Sequence, residues 1–136
     1  MESDKELKQT FKVFVDEEGI LEGIILKEVK ESADNARRLE LIEDVVLEIF
    51  NKNPEKEYRV FLDLLPLGKG NIYTSAEDRK IWARLAHDKQ IKKCAVTGSS
   101  IILKVIANFV VRLSGRSKDI KWFFSKEEAL KWLKED

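Results

Sequence analysis

Alternating apolar and polar positions open the chain. In residues 10–16 (TFKVFVD) the side chains of Phe11, Val13 and Val15 fall on one side of an extended strand. A second apolar segment over residues 20–27 follows the turn sequence EEG. Two such segments joined by a short glycine-containing turn predict a β-hairpin.

Helical and strand patterns alternate through the rest of the chain. Residues 32–53 repeat apolar side chains at the three- and four-residue spacing of an amphipathic helix, which ends at an Asn-Pro pair. The pairs Ser75 with Asp78 and Ser125 with Glu128 have the spacing of capping boxes and mark two later helix starts. The predicted elements are strands over residues 10–16, 20–27, 58–65, 93–97 and 120–124 and helices over residues 32–53, 75–90, 101–113 and 125–133.

This order, ββαβαβαβα, predicts the fold class. Strands that alternate with helices of this length are joined by right-handed crossovers and form a largely parallel sheet. We therefore expect an α/β protein with a mixed sheet of five strands, the first strand antiparallel and the rest parallel, and four helices. The length of 136 residues fits a single domain over 1–136, with residues 1–9 as a flexible N-terminus.

The predicted helix over residues 101–113 has unusually little polar surface. Its polar side chains are Lys104, Asn108 and Arg112, four residues apart, so they form one thin stripe. The sheet is expected to cover Ile102, Ile106, Phe109 and Leu113. The remaining apolar rows run through Ile101, Val105, Val110 and Val111, and Trp122 on the following strand adds aromatic surface nearby.

The apolar side chains of this helix that the sheet does not bury must contact something other than the sheet. Neighbouring helices can supply it, and the other possibilities are a homodimer interface, a groove for a partner protein or the wall of an apolar-ligand pocket. Ile101, Val105, Val110, Val111 and Trp122 are accordingly the predicted binding residues.

Composition and charge exclude some function classes. The chain has 25 basic and 25 acidic residues, and this zero net charge argues against nucleic acid as a partner. Residues 1–68 nevertheless hold 10 basic and 17 acidic residues, and residues 69–136 hold 15 and 8, so a charge dipole that orients a partner stays open. The charged start and the interrupted apolar runs predict neither a signal peptide nor an integral membrane segment. A single cysteine, Cys94, fits a cytoplasmic location.

A second candidate site lies where three predicted helices begin. Lys69, Ser75, Ser99 and Ser100 lie in the loops that precede those helices, and free backbone N–H groups there can hold an anion. Gly and Ser at such positions also serve simply as turn and helix cap, and we favour that interpretation.

Enzymatic groups are scarce in the sequence. The only histidine, His87, lies late in the second predicted helix beside Asp88, and Cys94 lies in a strand predicted to be buried. Asp63 lies on an otherwise apolar strand, where it is expected to accept hydrogen bonds from a neighbouring loop's backbone, with contact to a ligand as the alternative. We predict no catalytic residue, no metal and no cofactor.

Several segments resemble a known family. They are KVFVDEEGIL in the hairpin, VFLDL at 60–64, KCAVTGSS leading into IANF at 106–109, and FFSKEEALKWL at 123–133. From Phe11 to Trp132 the chain resembles small STAS-type proteins with a SpoIIAA-like fold, in particular an uncharacterised group of stand-alone domains. The resemblance implies sequential strand order and helices in a right-handed superhelix. That superhelix is similar to the one in CRAL/TRIO lipid-binding domains.

The chain departs from the family's best-known motif. The anti-anti-sigma members carry a phosphorylated serine in an Asp-Ser-Ser/Thr-Gly motif at a helix start, which corresponds here to Thr74 and Ser75. The neighbours are Tyr73 and Ala76, without the Asp or the Gly, and this argues against a kinase-operated switch. We therefore predict a non-enzymatic STAS-like regulatory or protein-interaction domain, which binds a regulatory protein or itself as a homodimer through the surface beside the helix at 101–113. The alternative is a carrier or sensor of a small apolar or lipid-like ligand.

Overall fold

One mixed sheet with helices on both faces forms the protein. The computed structural model describes residues 1–70 and 74–135. In chain order the elements are α1 (Asp4–Lys8), β1 (Phe11–Val15), β2 (Leu21–Ile25), α2 (Ser32–Lys52), β3 (Tyr58–Asp63), a short 3-10 helix (Leu65–Leu67), α3 (Ala76–Ala86), β4 (Ile91–Thr97), α4 (Ile101–Ser114), β5 (Ile120–Phe123) and α5 (Lys126–Lys134).

The sheet has the predicted topology. Its strands lie in the order β1-β2-β3-β4-β5, and β1 pairs antiparallel with β2 while every other pair is parallel. Val60 of β3, for example, lies beside Leu21 of β2 and Cys94 of β4. The predicted fold class, a five-stranded mixed α/β sheet, is therefore confirmed.

The two faces of the sheet are covered by different numbers of helices. On one face α3 packs between α2 and α4, and these three helices close the larger apolar core over the sheet. On the other face α5 packs against β3, β4 and β5, where Ala129 and Leu133 are fully buried with Phe61 and Ala95. Because α4 is the last helix of its layer, it has a helical neighbour, α3, along one flank.

The N-terminus differs from the prediction. Residues 1–9 were expected to be flexible, but they contain α1, which packs against α2 and β1. Ser3 and Glu6 form a capping box that starts α1, and the Leu7 side chain is fully buried. The guanidinium of Arg37 in α2 also contacts the Asp4 carboxylate at 2.9 Å. One buried leucine and a good cap hold this helix, which is too short to show a period in the sequence.

Candidate functional site

Local sequence signals define both ends of α4. The Ser100 side chain accepts a hydrogen bond from the backbone N–H of Leu103 at 3.2 Å, which caps the first turn. At the other end Gly115 adopts the left-handed conformation (φ 74°) that favours glycine and terminates the helix. The 14 residues between these caps contain no acidic side chain.

The prediction of which face of α4 meets the sheet was wrong. Leu103, Val110 and Ser114 are the buried residues of the helix. Ile102, Phe109 and Leu113, which were expected to face the sheet, are instead 42%, 48% and 63% exposed. Val110 and Val111 were expected to need cover on the flanks of α4, and the fold itself supplies it, since Val110 is buried and Val111 packs against the core.

The error in the orientation of α4 has a physical cause. Apolar residues occupy almost every direction around this helix, so hydrophobic periodicity does not fix its rotation. The polar side chains do fix it, because Asn108 and Arg112 are exposed and the buried residues lie across the helix from them. The inward row contains the small residues Ala107, which is partly buried, and Ser114, which is buried.

The exposed side of α4 forms a continuous apolar surface. Ile101 and Val105, both predicted binding residues, are 71% and 62% exposed. We use the term apolar patch for this surface, which comprises Ile101, Ile102, Val105, Phe109, Leu113 and, from the chain after β5, Phe124.

Two cations accompany the apolar patch. The Nζ atom of Lys104 lies 5.1 Å from the centroid of the Phe124 ring, and Arg112 is exposed in the last turn of α4. No Asp or Glu occurs between Ser100 and Lys118. The patch is therefore apolar at its centre and positive in charge.

Trp122 supports the patch from below. Its indole is partly buried, packs against the core and meets the Phe124 ring edge-on, with 6.1 Å between the ring centroids. A methyl group built on Gly98 would come within 2.6 Å of the indole, so only glycine fits under this ring. Of the predicted binding residues, Ile101 and Val105 thus lie in the patch, Trp122 supports it, and Val110 and Val111 face inward.

The predicted anion-binding residues divide into two groups. Lys69 and Ser99 line a surface groove with Ile101, Ile102 and Phe124. The side chain of Ser100 is buried, and its Oγ donates to the carbonyl oxygen of Gly70 at 3.3 Å. The structure therefore places Lys69 and Ser99 beside the apolar patch, with Ser100 as a buried cap.

Ser75 is occupied as a cap of α3. Its Oγ accepts a hydrogen bond from the Asp78 N–H, and the Asp78 carboxylate accepts one from the Ser75 N–H at 2.9 Å. It is not among the residues that line the groove of Lys69 and Ser99. Tyr73, used in the comparison with the phosphorylation motif, lies outside the described residues.

The inward side of α4 borders a cavity. This cavity of about 190 Å³ lies between the sheet and the layer of α2, α3 and α4. From α4 it is lined by Ile106, Ala107 and Val111, and Cys94 of β4 forms part of its floor. The same helix therefore presents apolar side chains to solvent on one side and to a cavity on the other.

A polar cluster lies at the edge of the cavity. Asn35 and Arg38 of α2 both line it. Arg38 donates to the Lys27 carbonyl oxygen at 2.6 Å and to Asn35 Oδ1 at 2.7 Å, and Asn35 Nδ2 donates to Asp78 Oδ2 at 2.9 Å. Burial lowers the pKa of Arg38 to about 10, against the opposing effect of Asp78, so the guanidinium stays charged at neutral pH.

The residues with catalytic potential have structural partners. The Nδ1 atom of His87 lies 3.3 Å from the carbonyl oxygen of Ser114. Burial raises the pKa of the Cys94 thiol to about 12. Asp63 accepts from the Leu65 N–H at 2.9 Å and from the Thr97 hydroxyl at 3.1 Å, which confirms its predicted role toward a neighbouring loop.

Sequence reasoning named an apolar-ligand pocket beside α4 as one alternative, but it missed the polar cluster at the edge of the cavity. A signal was present, since Asn35 and Arg38 share the inward face of α2 with Leu39 and Ile42, at helical spacing. Polar side chains on the buried face of an amphipathic helix indicate a polar site inside the core. Within residues 1–70 and 74–135, no group of His, Cys, Asp and Glu has the arrangement of a metal site. In the same ranges no helix has the length and apolar content needed to cross a membrane.

Comparisons with known proteins agree with this fold. The model of one protein family, described as a domain of unknown function (DUF7793), matches residues 14–135. Among solved structures, an uncharacterised protein of the DUF3478 family with a SpoIIAA-like fold, from Shewanella loihica PV-4, is similar with a TM-score of 0.63. The two are 15% identical, and the match covers 90% of this chain and 93% of that one, so the likeness shows the SpoIIAA-like fold alone. None of the curated proteins matches the chain.

Proposed function

This chain belongs to the DUF7793 family of domains of unknown function, and we propose that it is a non-enzymatic interaction domain that docks a partner protein on the apolar patch of α4. The observation that carries the proposal is the exposure of five large apolar side chains on one side of a single helix. Monomeric proteins seldom leave such a surface uncovered, and contiguous apolar patches commonly mark sites of protein interaction.

The charges around the patch favour a partner with acidic groups. Arg112 projects from the same exposed side as Val105, and Lys104 lies at the margin beside Phe124. A carboxylate on the partner opposite Arg112 would complete an ion pair at the rim of an apolar contact. This arrangement is typical of a surface that selects its partner by charge and holds it by apolar burial.

A second copy of this chain fits the patch less well. In an antiparallel pair of α4 helices, Arg112 of one copy would approach the first turn of the other, where the helix dipole is positive. The patch of the second copy has no acidic residue between Ser100 and Lys118 to compensate. The homodimer predicted from sequence is therefore the less favoured occupant.

A lipid surface also fits less well than a protein. The outer face of α2, in the same helical layer as α4, carries the exposed acidic residues Glu40, Asp44 and Glu48. A flat anionic membrane that reached the patch would approach these carboxylates as well, and the resulting repulsion would oppose binding. A partner protein can contact α4 alone.

The environment of the candidate catalytic groups supports a non-enzymatic role. Cys94 has a buried thiol with a raised pKa, and His87 contacts a backbone carbonyl group. Within the part of the chain that the structure describes, neither is bonded to another catalytic side chain.

Photo-crosslinking from the patch tests the proposal. A benzophenone amino acid replaces Phe109 in the cell of origin, and the matched control replaces the exposed Phe14 of β1. We expect a discrete crosslinked protein from position 109 and none from position 14. The identified protein is then purified, and its affinity for the native chain is measured.

Substitutions in the patch test whether the crosslinked protein is a specific partner. We expect Val105→Glu to weaken the purified complex by at least tenfold, because it places a charge in the apolar contact, and Arg112→Glu to weaken it by on the order of tenfold. Phe14→Glu should leave the affinity unchanged. A chain that sediments as a dimer through α4, or that binds vesicles of anionic lipid through it, would contradict the proposed occupant.

A further inference from the structure

The cavity beneath α4 is large enough for a small organic molecule. Its volume is about 190 Å³. An apolar cavity of about 150 Å³ holds benzene, so a compound with a ring and one or two further heavy atoms fits the space here. Most of the lining is aliphatic, with Val60, Leu62 and Val96 from the sheet facing Ala107 and Val111 of α4.

One hydrogen-bond donor in the lining lacks a protein partner. Arg38 is 5% exposed, and its terminal nitrogens donate to the backbone of Lys27 and to Asn35. Its Nε–H, however, has no acceptor among the described residues. A buried donor left without a hydrogen bond carries a free-energy penalty, which an acceptor on a bound molecule would remove.

The charge balance of the cluster indicates what kind of acceptor fits. Asp78 is almost fully buried and joins Arg38 through Asn35, so a negative charge already accompanies the guanidinium. The Oδ1 atom of Asp78 is also without a hydrogen-bond partner among the described residues. A second carboxylate brought into this cluster would be repelled by Asp78 and would lose its hydration, whereas a neutral oxygen would not.

We propose that the cavity binds a small neutral molecule with an apolar body and one hydroxyl or carbonyl oxygen, which accepts a hydrogen bond from Arg38 Nε. The apolar body lies between the sheet and the inward side of α4, beside Ala107 and Cys94. This site is separate from the apolar patch, and the inference does not depend on the docking of a partner there.

Three probes of similar shape test the site. Benzyl alcohol has the proposed oxygen, toluene lacks it, and benzoate carries a charge. A hydroxyl placed in a cavity without a partner is disfavoured by roughly 2–7 kcal/mol, so a purely apolar cavity would bind toluene and exclude benzyl alcohol. We expect benzyl alcohol to bind at least as tightly as toluene and more tightly than benzoate, and to shift the Arg38 Nε–H resonance in NMR titrations.

Substitutions on the two sides of α4 provide matched controls. Ala107→Leu adds three carbon atoms to the lining and should abolish the binding of benzyl alcohol and toluene. Asn108→Leu introduces the same side chain on the exposed side of the helix and should leave both affinities unchanged. Arg38→Lys removes the Nε–H donor and should reduce the preference for benzyl alcohol over toluene by roughly tenfold.

Three other results of the titrations would overturn the inference. Binding of toluene without benzyl alcohol would refute the role of Arg38 while leaving an apolar cavity. Tighter binding of benzoate would refute the neutral oxygen, and failure of all three probes to bind the native chain would refute the site. These titrations need no substitution, so they remain decisive if Arg38→Lys does not fold.

Discussion

Two helices of the same layer, α2 and α4, differ in the side chains that they expose to solvent. The inward face of α2 carries buried apolar side chains that border the cavity, and its outward face carries Glu40, Asp44 and Glu48. α4 borders the same cavity on its inward side but presents the apolar patch outward. An amphipathic helix with a polar outer face buries its apolar surface within its own fold. In contrast, α4 keeps a large apolar surface exposed to solvent after folding.

The two helices are also attached differently. Arg84 of α3 forms a bidentate pair with Glu43 of α2, with both N–O distances 2.7 Å, and Gln90 donates to the Phe50 carbonyl oxygen at the end of α2. Side-chain hydrogen bonds hold α4 at its ends, where Ser100 caps its start and Arg116 just beyond it donates to the carbonyl oxygens of Ala86 and Asp88. Under the proposed function, α2 mainly stabilises the domain and α4 contacts the partner.

Removal of a core ring from α2 should have the largest effect. Phe50 is 1% exposed and stacks on Tyr58 with 5.4 Å between the ring centroids. Phe50→Ala should lower the free energy of unfolding by about 3–5 kcal/mol, measured by urea denaturation. The exposed Phe14 is the control, and Phe14→Ala should cost much less. Equal losses at the two positions would remove the basis for treating α2 as a packed core helix.

Matched leucine truncations should separate the two sides of α4. Leu103 is 7% exposed and Leu113 is 63% exposed on the same helix. We expect Leu103→Ala to lower the free energy of unfolding by about 2–3 kcal/mol, near the low end for buried leucine because Leu103 borders the cavity and has fewer packing contacts to lose on that side. Leu113→Ala should change it by about 0.5 kcal/mol or less. A large loss from Leu113→Ala would show that the patch belongs to the fold's own core.

The loop that leads into α4 should tolerate no side chain at Gly98. An added methyl group would lie 2.6 Å from the Trp122 ring, which must then move. Gly98→Ala is expected to cost about 1–3 kcal/mol in thermal or urea unfolding. Gly70, where an added methyl group meets nothing within 4 Å, provides the control. Equal stability of the two variants would mean that Trp122 is not a rigid support for the patch.

The buried thiol of Cys94 on the cavity floor should make the protein less stable at high pH. Burial raises the pKa of Cys94 from its ordinary value of 9.0 to about 12, so the unfolded chain loses this proton at lower pH than the folded one. The contribution of the protonated thiol to the free energy of unfolding is fully present below pH 9.0 and is lost as the pH rises toward 12. At one pH unit above the unfolded pKa, the native chain should lose about 1.4 kcal/mol more than Cys94→Ala, relative to neutral pH. Parallel losses in the two proteins would show that the thiol is accessible when folded.

Sequence patterns identified the β-sheet and its helices because several signals coincided at each element. Ser75 with Asp78 and Ser125 with Glu128 marked helix starts that the structure confirms as capped. The helix α1 escaped notice because its five residues contain one apolar side chain, Leu7, too few for a periodic pattern.

The candidate site was only partly predictable. The excess of apolar residues in α4 was visible in the sequence, and Ile101 and Val105 are exposed in the structure. The rotation of the helix was predicted wrongly, because hydrophobic periodicity does not fix it when apolar residues surround the helix, and the exposed polar residues Asn108 and Arg112 were the signal that marks its outward side. The cavity was also beyond the sequence, because its volume reflects how several distant segments fit together and no single segment encodes it.

One measurement tests the central claim that α4 has apolar surface in excess of what the fold requires. The variant with Ile101→Ser, Val105→Ser and Leu113→Ser together removes most of the patch, and its free energy of unfolding is compared with that of the native chain by urea denaturation. If the patch serves recognition alone, the expected change is within about 1 kcal/mol, as for exposed sites. A loss of about 4 kcal/mol or more would be typical of core truncation and would contradict the account.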